Sequence, residues 1–553
     1  MVESAYQTLI QQSQRATAAL VRQGKLLNVP NTGLAMGKQV VEFARQHPQA
    51  ALVAVNAIRQ ESSLTYPLPL KAALIMAILG LRSQLNDHYL QHLTGATFTL
   101  LSAASYHRDT QILHFEPTVL AGLKKHLGGP QLALWRSVFS VGKLLAQPNF
   151  HRYLANPAIN YPQWWLICCS HLSIRFSFSF YAALRPLALS GNVRYEATLR
   201  QWLTYPGDIW PGAQAPTESG KHTVMYKTDS QYGVLPSSIA PTPAIEWKTD
   251  IALRPSHYIR FNKWAELTAK THQAAQQIAA FKFEGRRYPV SHPPRSIITI
   301  IDMLQDSELD IGRLAAELEQ EPAFADALKH SATLDNRLQL PVKEVKQAVL
   351  TYGTERVGDM LVLEALMQRL TQHYFPLGAC CKNLLVTSAT LASLIAAQVP
   401  SRLSAQSAAL VSTFSLAPVF TLPALKILAR FPHNAQRLFD VNALLSLKTG
   451  EEFVAYAAEL AANWHQPKIH QAIIRQFGKM PAQASPGLQK EFAVISLSLL
   501  LSRKWLFVSG QLDEASIEAL RQCLHILKLK PEFIAHLQAQ VSSSLYTPIT
   551  HRL

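Results

Sequence analysis

A chain of 553 residues is long enough for two to four domains, and its 48% hydrophobic and 16% charged residues exclude a predominantly disordered protein. The formal charge of +16 is lopsided: residues 1–290 hold 28 Lys and Arg against 14 Asp and Glu, 291–420 hold 10 against 13, and 421–553 hold 14 against 9. A surplus of this kind suits an acidic partner, a nucleic acid or an anionic lipid, but Arg15, Arg22, Lys25, Lys38, Arg45 and Arg59 stand too far apart for a dense nucleic-acid footprint.

In chain order, Met1 to Tyr6 lacks the basic start and apolar run of a secretory signal. Residues 1–204 read as a basic helical domain, with Leu74–Leu81 and Phe139–Leu145 as apolar core segments and no alternation long enough for a sheet. The piece from Tyr161 to Tyr181 is rich in aromatics and reads as core or as an inter-domain contact. Its even-spaced Phe176, Phe178 and Phe180 leave a short strand open. Prolines and glycines then recur through 205–258, as in Tyr205-Pro206-Gly207 and Trp210-Pro211-Gly212, and predict a loop or linker. Residues 259–290 read as one helix from Phe261 followed by a second short linker ending at Val290.

The stretch 291–545 carries clear helix signals. Ile297, Ile300, Ile301 and Leu304 form one apolar stripe, and Asp310 is placed to cap a helix bearing Ile311, Leu314, Ala315 and Leu318. Val345, Ala348, Val349 and Tyr352 make another, which Gly353 ends, and Thr354 is the expected cap of the next. Asp513 precedes a helix presenting Ile517, Leu520, Leu524 and Leu527. The periodicity predicts an all-α domain. The uncharged runs Asn383–Ser401 and Leu403–Leu425 contain Ser, Thr, Gln and Pro throughout, so they read as buried helices and not as membrane spans.

His88 and His92 lie four apart on a predicted helix, next to Asp87, with His107, Asp109 and His114 further on. Two spaced histidines are half a ligand set, and polar positions on an amphipathic helix account for them. His107-Arg108-Asp109 lacks the partner motifs of a kinase, Gly142-Lys143-Leu144 lacks those of a phosphate-binding loop, and no Gly-x-Ser-x-Gly occurs. Cysteines 168, 169, 380, 381 and 523 include two adjacent pairs and no Cys-x-x-Cys, which predicts reduced, buried thiols and a cytoplasmic protein.

Taken in order, His292-Pro293-Pro294, Glu321–Leu328, Gln347–Gly353 and Asn463-Trp464-His465-Gln466-Pro467 make residues 291–541 resemble the HDOD family, the bacterial output domain related to HD phosphohydrolases. Where such an enzyme carries its metal-binding His-Asp pair, this chain has Ser415-Leu416. Later histidine positions fall near Phe453 and on Arg475-Gln476-Phe477, and Pro418 replaces a glycine. A hydroxyl is a poor ligand and a leucine is none. The resemblance implies a multi-helical, degenerate HD-like domain and a signalling role without catalysis, metal or cofactor. It leaves open a second such unit in the first half. The expected partner is another protein, with nucleic-acid binding by the basic half, weak and non-specific, as the alternative. A metal-dependent phosphohydrolase is the reading that the missing ligands oppose.

Overall fold

The computed structural model describes residues 2–21, 29–61, 66–107, 112–125, 127, 132–190, 195–217, 220–236, 244–249, 255, 257–271, 278, 281, 289–304, 310–335, 340–428, 431, 434–444, 450–508 and 510–545. The chain divides into two compact units. The first comprises Met1–Arg287 together with His373–Pro376 and Lys426–Ala429. The second comprises Tyr288–Gln372, Leu377–Leu425 and Arg430–Leu553.

The helices of the first unit are α1 (Val2–Val21), α2 (Val29–Gln46), α3 (Pro48–Ala57), α4 (Leu68–Arg82), α5 (Asp87–Ser102), α6 (Pro117–Lys125), α7 (Ala133–Ser140), α8 (Gly142–Leu145), α9 (Tyr161–Arg175), α10 (Phe180–Ala188), α11 (Glu196–Thr204) and α12 (Phe261–Lys270). Helix α4 is at the centre: Leu68 to Leu81 are all buried, which is why its sequence is apolar around the whole circumference. Across it run α2 and α5, which meet backbone to backbone at three glycines. A Cβ on Gly95 would stand 2.5 Å from the Gly33 carbonyl oxygen, and one on Gly37 would stand 2.2 Å from that of Gln91. Local caps fix the helix starts. The Asn86 side chain accepts from the His88 amide, and Asn160 and Gln163 bond each other's amides at the start of α9.

Residues 205–258 depart from the linker reading. Five strands, β3 (Ala213–Thr217), β4 (Gly220–Lys227), β5 (Tyr232–Pro236), β6 (Glu246–Lys248) and β7 (His257–Tyr258), form an antiparallel sheet in the order β6-β5-β4-β3-β7. A further hairpin pairs β1 (Ala104–His107) with β2 (Ile112–Phe115), where no sheet was expected. Gly220 and Pro236 stand at strand ends and Gly233 within β5, while Val224, Met225, Tyr226, Val234 and Leu235 are buried. Side chains tie this sheet to the helices. The Gln49 amide exchanges both hydrogen bonds with the Lys227 backbone, at 2.7 and 2.9 Å, and the Trp264 indole donates to the Met225 carbonyl at 3.0 Å. Phe176 and Phe180 form no strand; they flank the turn between α9 and α10 and pack on Trp210. The helix expected from Phe261 spans Phe261–Lys270, and residues 272–277 beyond it lie outside the described residues.

The second unit follows the periodicity read from its sequence. Its helices are α13 (Arg295–Leu304), α14 (Ile311–Glu319), α15 (Pro322–Asp335), α16 (Val345–Tyr352), α17 (Thr354–Thr371), α18 (Gly378–Gln398), α19 (Ala405–Leu416), α20 (Pro423–Lys426, whose last residue counts with the first unit), α21 (Val441–Leu444), α22 (Gly450–Asn463), α23 (Lys468–Ile474), α24 (Gln489–Phe507), α25 (Glu514–Leu527) and α26 (Glu532–Leu545). Helices α13 to α17 close a core of their own around Ile297, Ile300, Leu314, Leu318, Leu328, Val349 and Leu361. Asp310 and Asp513 cap α14 and α25 as expected. The expected cap at Thr354 is displaced by one residue: Gly353, at φ +77°, holds that position and Thr354 is already helical. Helix α18 is long and apolar enough to cross a membrane by length and composition alone. It packs on α19 and α24, with Leu384, Leu385, Leu391 and Ile395 buried against them. The chain as a whole is predominantly helical, and the sheet of the first unit is the main exception to the all-α expectation.

Candidate functional site

Helix α19 carries Ser415-Leu416, the pair that the sequence resemblance sets against the His-Asp of an HD enzyme. From Ser407 to Phe420 every residue is buried, because α19 is enclosed by α17, α18, α22 and α24. The Ser415 hydroxyl donates to the Val411 carbonyl of its own helix at 2.7 Å, and Leu416 is 1% exposed. Thr413 bonds back to Ala409 in the same way, and Ser412 meets Ser388 of α18 at 2.8 Å. Phe453 is buried in apolar packing. Gln476 donates to the Ala472 carbonyl at 3.3 Å and accepts from the Lys479 ammonium at 3.1 Å, while Arg475 faces outward. Among the described residues no three His, Cys, Asp or Glu side chains come together as a metal-ligand set. This centre offers hydroxyls already bonded to backbone or to each other, and methyl groups.

The motifs that carry the family resemblance have structural work within the unit. The Trp464 indole donates to the Val290 carbonyl at 2.8 Å. The Arg369 guanidinium donates to the carbonyls of Pro289 and His292, and it lies 5.7 Å from the Trp464 ring. Two signature stretches more than 160 residues apart, 292–294 and 463–467, are thus brought to one clamp. His470, which the sequence did not single out, is buried beside Gln466; burial pulls its pKa down to about 4, so it is neutral at physiological pH.

Asp359 of α17 is the one half-hidden carboxyl near the start of α19, where the Ser407 hydroxyl donates to it. Burial pushes its pKa up to about 6, partly offset by that hydrogen bond and reinforced by Glu355. The ordinary carboxylate value near 4 applies to the unfolded chain. A raised carboxyl pKa favours the protonated fold, so this contribution is fully present below about pH 4 and is lost as pH rises through about 6. Asp359→Asn keeps an acceptor for Ser407 and removes the ionisation. It is expected to raise stability at pH 8 by about 2 kcal/mol and to flatten the dependence between pH 4 and 7, as read by urea melts. A variant that is less stable than wild type at pH 8 would overturn this assignment.

In the first unit His88 and His92 do meet, with ring centroids 4.5 Å apart. No ligand set results. The Trp135 indole donates to His92 Nδ1 at 3.0 Å, Asp87 is paired with Arg45 at 2.6 Å, and burial, then His88 and Lys38, pulls the His92 pKa down to about 3. His107 and His114 are exposed on β1 and β2, and Asp109 lies outside the described residues. Cys168, Cys169 and Cys381 are buried and Cys380 partly so. Burial pushes the Cys380 thiol up to about 11 and raises the Cys168 and Cys169 thiols as well, the opposite of a reactive cysteine. One residue the sequence gave no reason to notice is Lys71. Its ammonium is buried within α4, donates to the Phe176 carbonyl at 2.7 Å, and has its pKa pulled down to about 7 by burial and then by Arg59.

A cavity of about 690 Å³ opens on the second unit between Pro400–Arg402, Pro486–Glu491 and His525–Lys528. Arg402 spans it, donating to the Glu491 carboxylate at 3.1 Å and to the Gly487 carbonyl. Burial pushes the Glu491 carboxyl up, and its hydrogen bonds from Arg402 outweigh that and hold it below the usual range.

No protein family profile and no curated protein matches the chain. The chain is similar to HDOD domain structures. One solved structure is an HDOD domain protein of unknown function from Geobacter sulfurreducens, at 14% identity and a TM-score of 0.32, covering 49% of this chain and 96% of that one. Another is the MmoQ response regulator from Methylococcus capsulatus, at 16% identity and a TM-score of 0.22, covering 44% and 96%. A fragment of the same regulator, residues 20–298, gives 16% identity and 0.24, covering 45% and 99%.

Proposed function

We propose that this chain is a non-catalytic regulatory protein of the signalling type, acting in the cytoplasm by docking another protein through its degenerate HDOD-like unit. The observation that carries the reading is α19, where Ser415 and Leu416 stand inside the core with the hydroxyl bonded to Val411. The full chain, purified without chelator, is expected to hold well under one equivalent of iron, manganese or zinc and to show no phosphodiesterase turnover on bis-p-nitrophenyl phosphate with those metals added. Stoichiometric metal accompanied by turnover would replace the reading with a phosphohydrolase.

A second reading rests on the excess of 28 basic over 14 acidic residues in the first half. Phosphate contacts alone give dissociation constants of roughly 10⁻⁴ to 10⁻⁶ M at physiological salt, falling steeply as salt rises. Labelled duplex and single-stranded probes are expected to bind at low ionic strength, without sequence preference, and to be released at physiological ionic strength. Nanomolar, sequence-selective binding that survives salt would promote the nucleic-acid reading.

A further inference from the structure

Helix α10 is amphipathic on two sides. Phe180, Ala183, Leu184 and Leu187 face inward and are buried. On the opposite side Ala182, Arg185 and Pro186, continued past the helix end by Leu189 and Ser190, recur at three-one-three-one spacing and make a mixed stripe of three apolar and two polar residues. Here the stripe is open. It lines a cavity of about 550 Å³ together with His151 and Arg152 of the 3₁₀ helix Phe150–Ala155. Leu189 is 73% exposed, and Tyr181, one turn before Arg185, is 41% exposed. Large apolar and aromatic side chains left open beside arginine are the composition of a protein-recognition patch.

The charge around this seam has one sign. Arg152 and Arg185 line it, and Arg175 stands close enough to act on His151 with Arg152. His151 is pulled to a lower pKa by burial first and then by those two arginines. Among the described residues no carboxylate lines the cleft and none of the three arginines has an ion-pair partner. The neighbouring carboxylate, Asp208, is occupied at the start of α10 by the Ser179 hydroxyl at 2.7 Å and the Tyr181 amide at 2.8 Å.

We propose that the outer face of α10 is a docking groove for an acidic amphipathic helix of a partner protein, whose apolar side chains cover Leu189 and Pro186 while its carboxylates meet Arg152 and Arg185. This helix-in-groove mode takes its specificity from apolar anchors at successive turns and its orientation from the flanking charges. The inference rests on the protein-docking reading for the class of ligand and adds a second, independent place on the chain.

The test uses the full chain and a fluorescein-labelled 15-residue peptide, helical, with leucine at every third or fourth position and glutamate on the other face. Three comparison probes are the same peptide with lysine for glutamate, the same peptide with serine for leucine, and a 15-nucleotide single-stranded DNA. Wild type is expected to bind the acidic peptide at least tenfold more tightly than the basic or leucine-free ones. The double variant Arg152→Glu/Arg185→Glu should lose the acidic peptide by at least tenfold and gain the lysine version, a swap that misfolding cannot produce. Leu189→Ser should weaken binding several-fold with circular dichroism unchanged. Equal binding of acidic and basic peptides, indifference to the double variant, or displacement of the peptide by the DNA would each overturn the groove. Bound metal with turnover would sink the regulatory reading and leave the charge swap standing, so the two failures are distinguishable.

Discussion

Gly95→Val will unfold the first unit or destabilise it by more than about 3 kcal/mol, beyond the usual range for an overpacked core side chain. A Cβ there would stand 2.5 Å from the Gly33 carbonyl oxygen, 2.8 Å from its carbonyl carbon and 3.1 Å from Leu34 Cα. These are backbone atoms of α2 and cannot rotate aside, so the two helices must separate. Separation would loosen the core around Met36, Val40, Leu93 and Ala96, all nearly or fully buried. Gly37→Ala, with its Cβ 2.2 Å from the Gln91 oxygen, should act in the same direction. Gly358→Ala in α17 is the control: its Cβ meets only Leu304 Cδ1, at 3.4 Å, and higher helix propensity should leave stability unchanged or raise it by up to about 1 kcal/mol. Urea melts followed by circular dichroism decide it. A Gly95→Val protein that melts with wild type would mean that α2 and α5 do not touch through their backbones.

Arg503→Met is expected to destabilise the second unit by about 3–5 kcal/mol, the range for removing one partner of a buried charged network. Arg503 sits in α24, fully buried, and its guanidinium donates to the carbonyls of Asn434 at 2.9 Å, Arg437 at 3.1 Å and Asp440 at 3.0 Å. Burial pulls its pKa down to about 9, with Asp440 and then Asp513 acting upward, so it stays charged at neutral pH. Methionine fills the stem and leaves three inward carbonyls without that donor. The turn they belong to is otherwise held by the Arg437 amide on Asp513 and the Leu438 amide on the Ser516 hydroxyl, so cleavage there by added protease should also rise. Arg503→Lys keeps a charge but not the planar fork and should fall between. Unchanged melting and unchanged protease resistance in the methionine variant would show the network to be dispensable.

What could be read beforehand follows from how local each signal is. The stripe Ile297, Ile300, Ile301, Leu304 and the caps Asp310 and Asp513 depend on neighbours a turn away, and their helices appear in the structure. The sheet at 213–258 depends on pairing between separate segments, and its prolines and glycines obscure strands whose buried apolar residues are only two or three in a row. Gly33, Gly37 and Gly95 carry no local signal, because nothing in their own segments says that another backbone must pass there. Arg503 is one of two adjacent charges, with Lys504, at the end of an apolar run, and its three acceptors lie more than 60 residues upstream. At the candidate centre, Ser415 and Leu416 were placed by family register alone. The outer face of α10 is not legible in the sequence, where Phe176, Phe178, Phe180 and Tyr181 read as core or as an inter-domain contact, although Tyr181 and Phe178 are exposed.

The first unit is not made from one continuous stretch, and this sets an order of events during synthesis. Tyr374 exchanges backbone hydrogen bonds with Gln84 and Asn86, at 3.1 and 2.8 Å, and its ring lies 4.5 Å from that of Tyr161. The Lys426 ammonium sits 3.5 Å from the centre of the Phe375 ring, and Ile427 belongs to the same core. A ribosome adding about 5–20 residues per second delivers Lys426 roughly 7 to 30 s after Arg287. For that interval the nascent first unit has all its own helices and sheet but not the two late stretches that finish it. Tyr89 and Tyr161, which the late arrivals cover, are therefore the patch a chaperone would find on the growing chain.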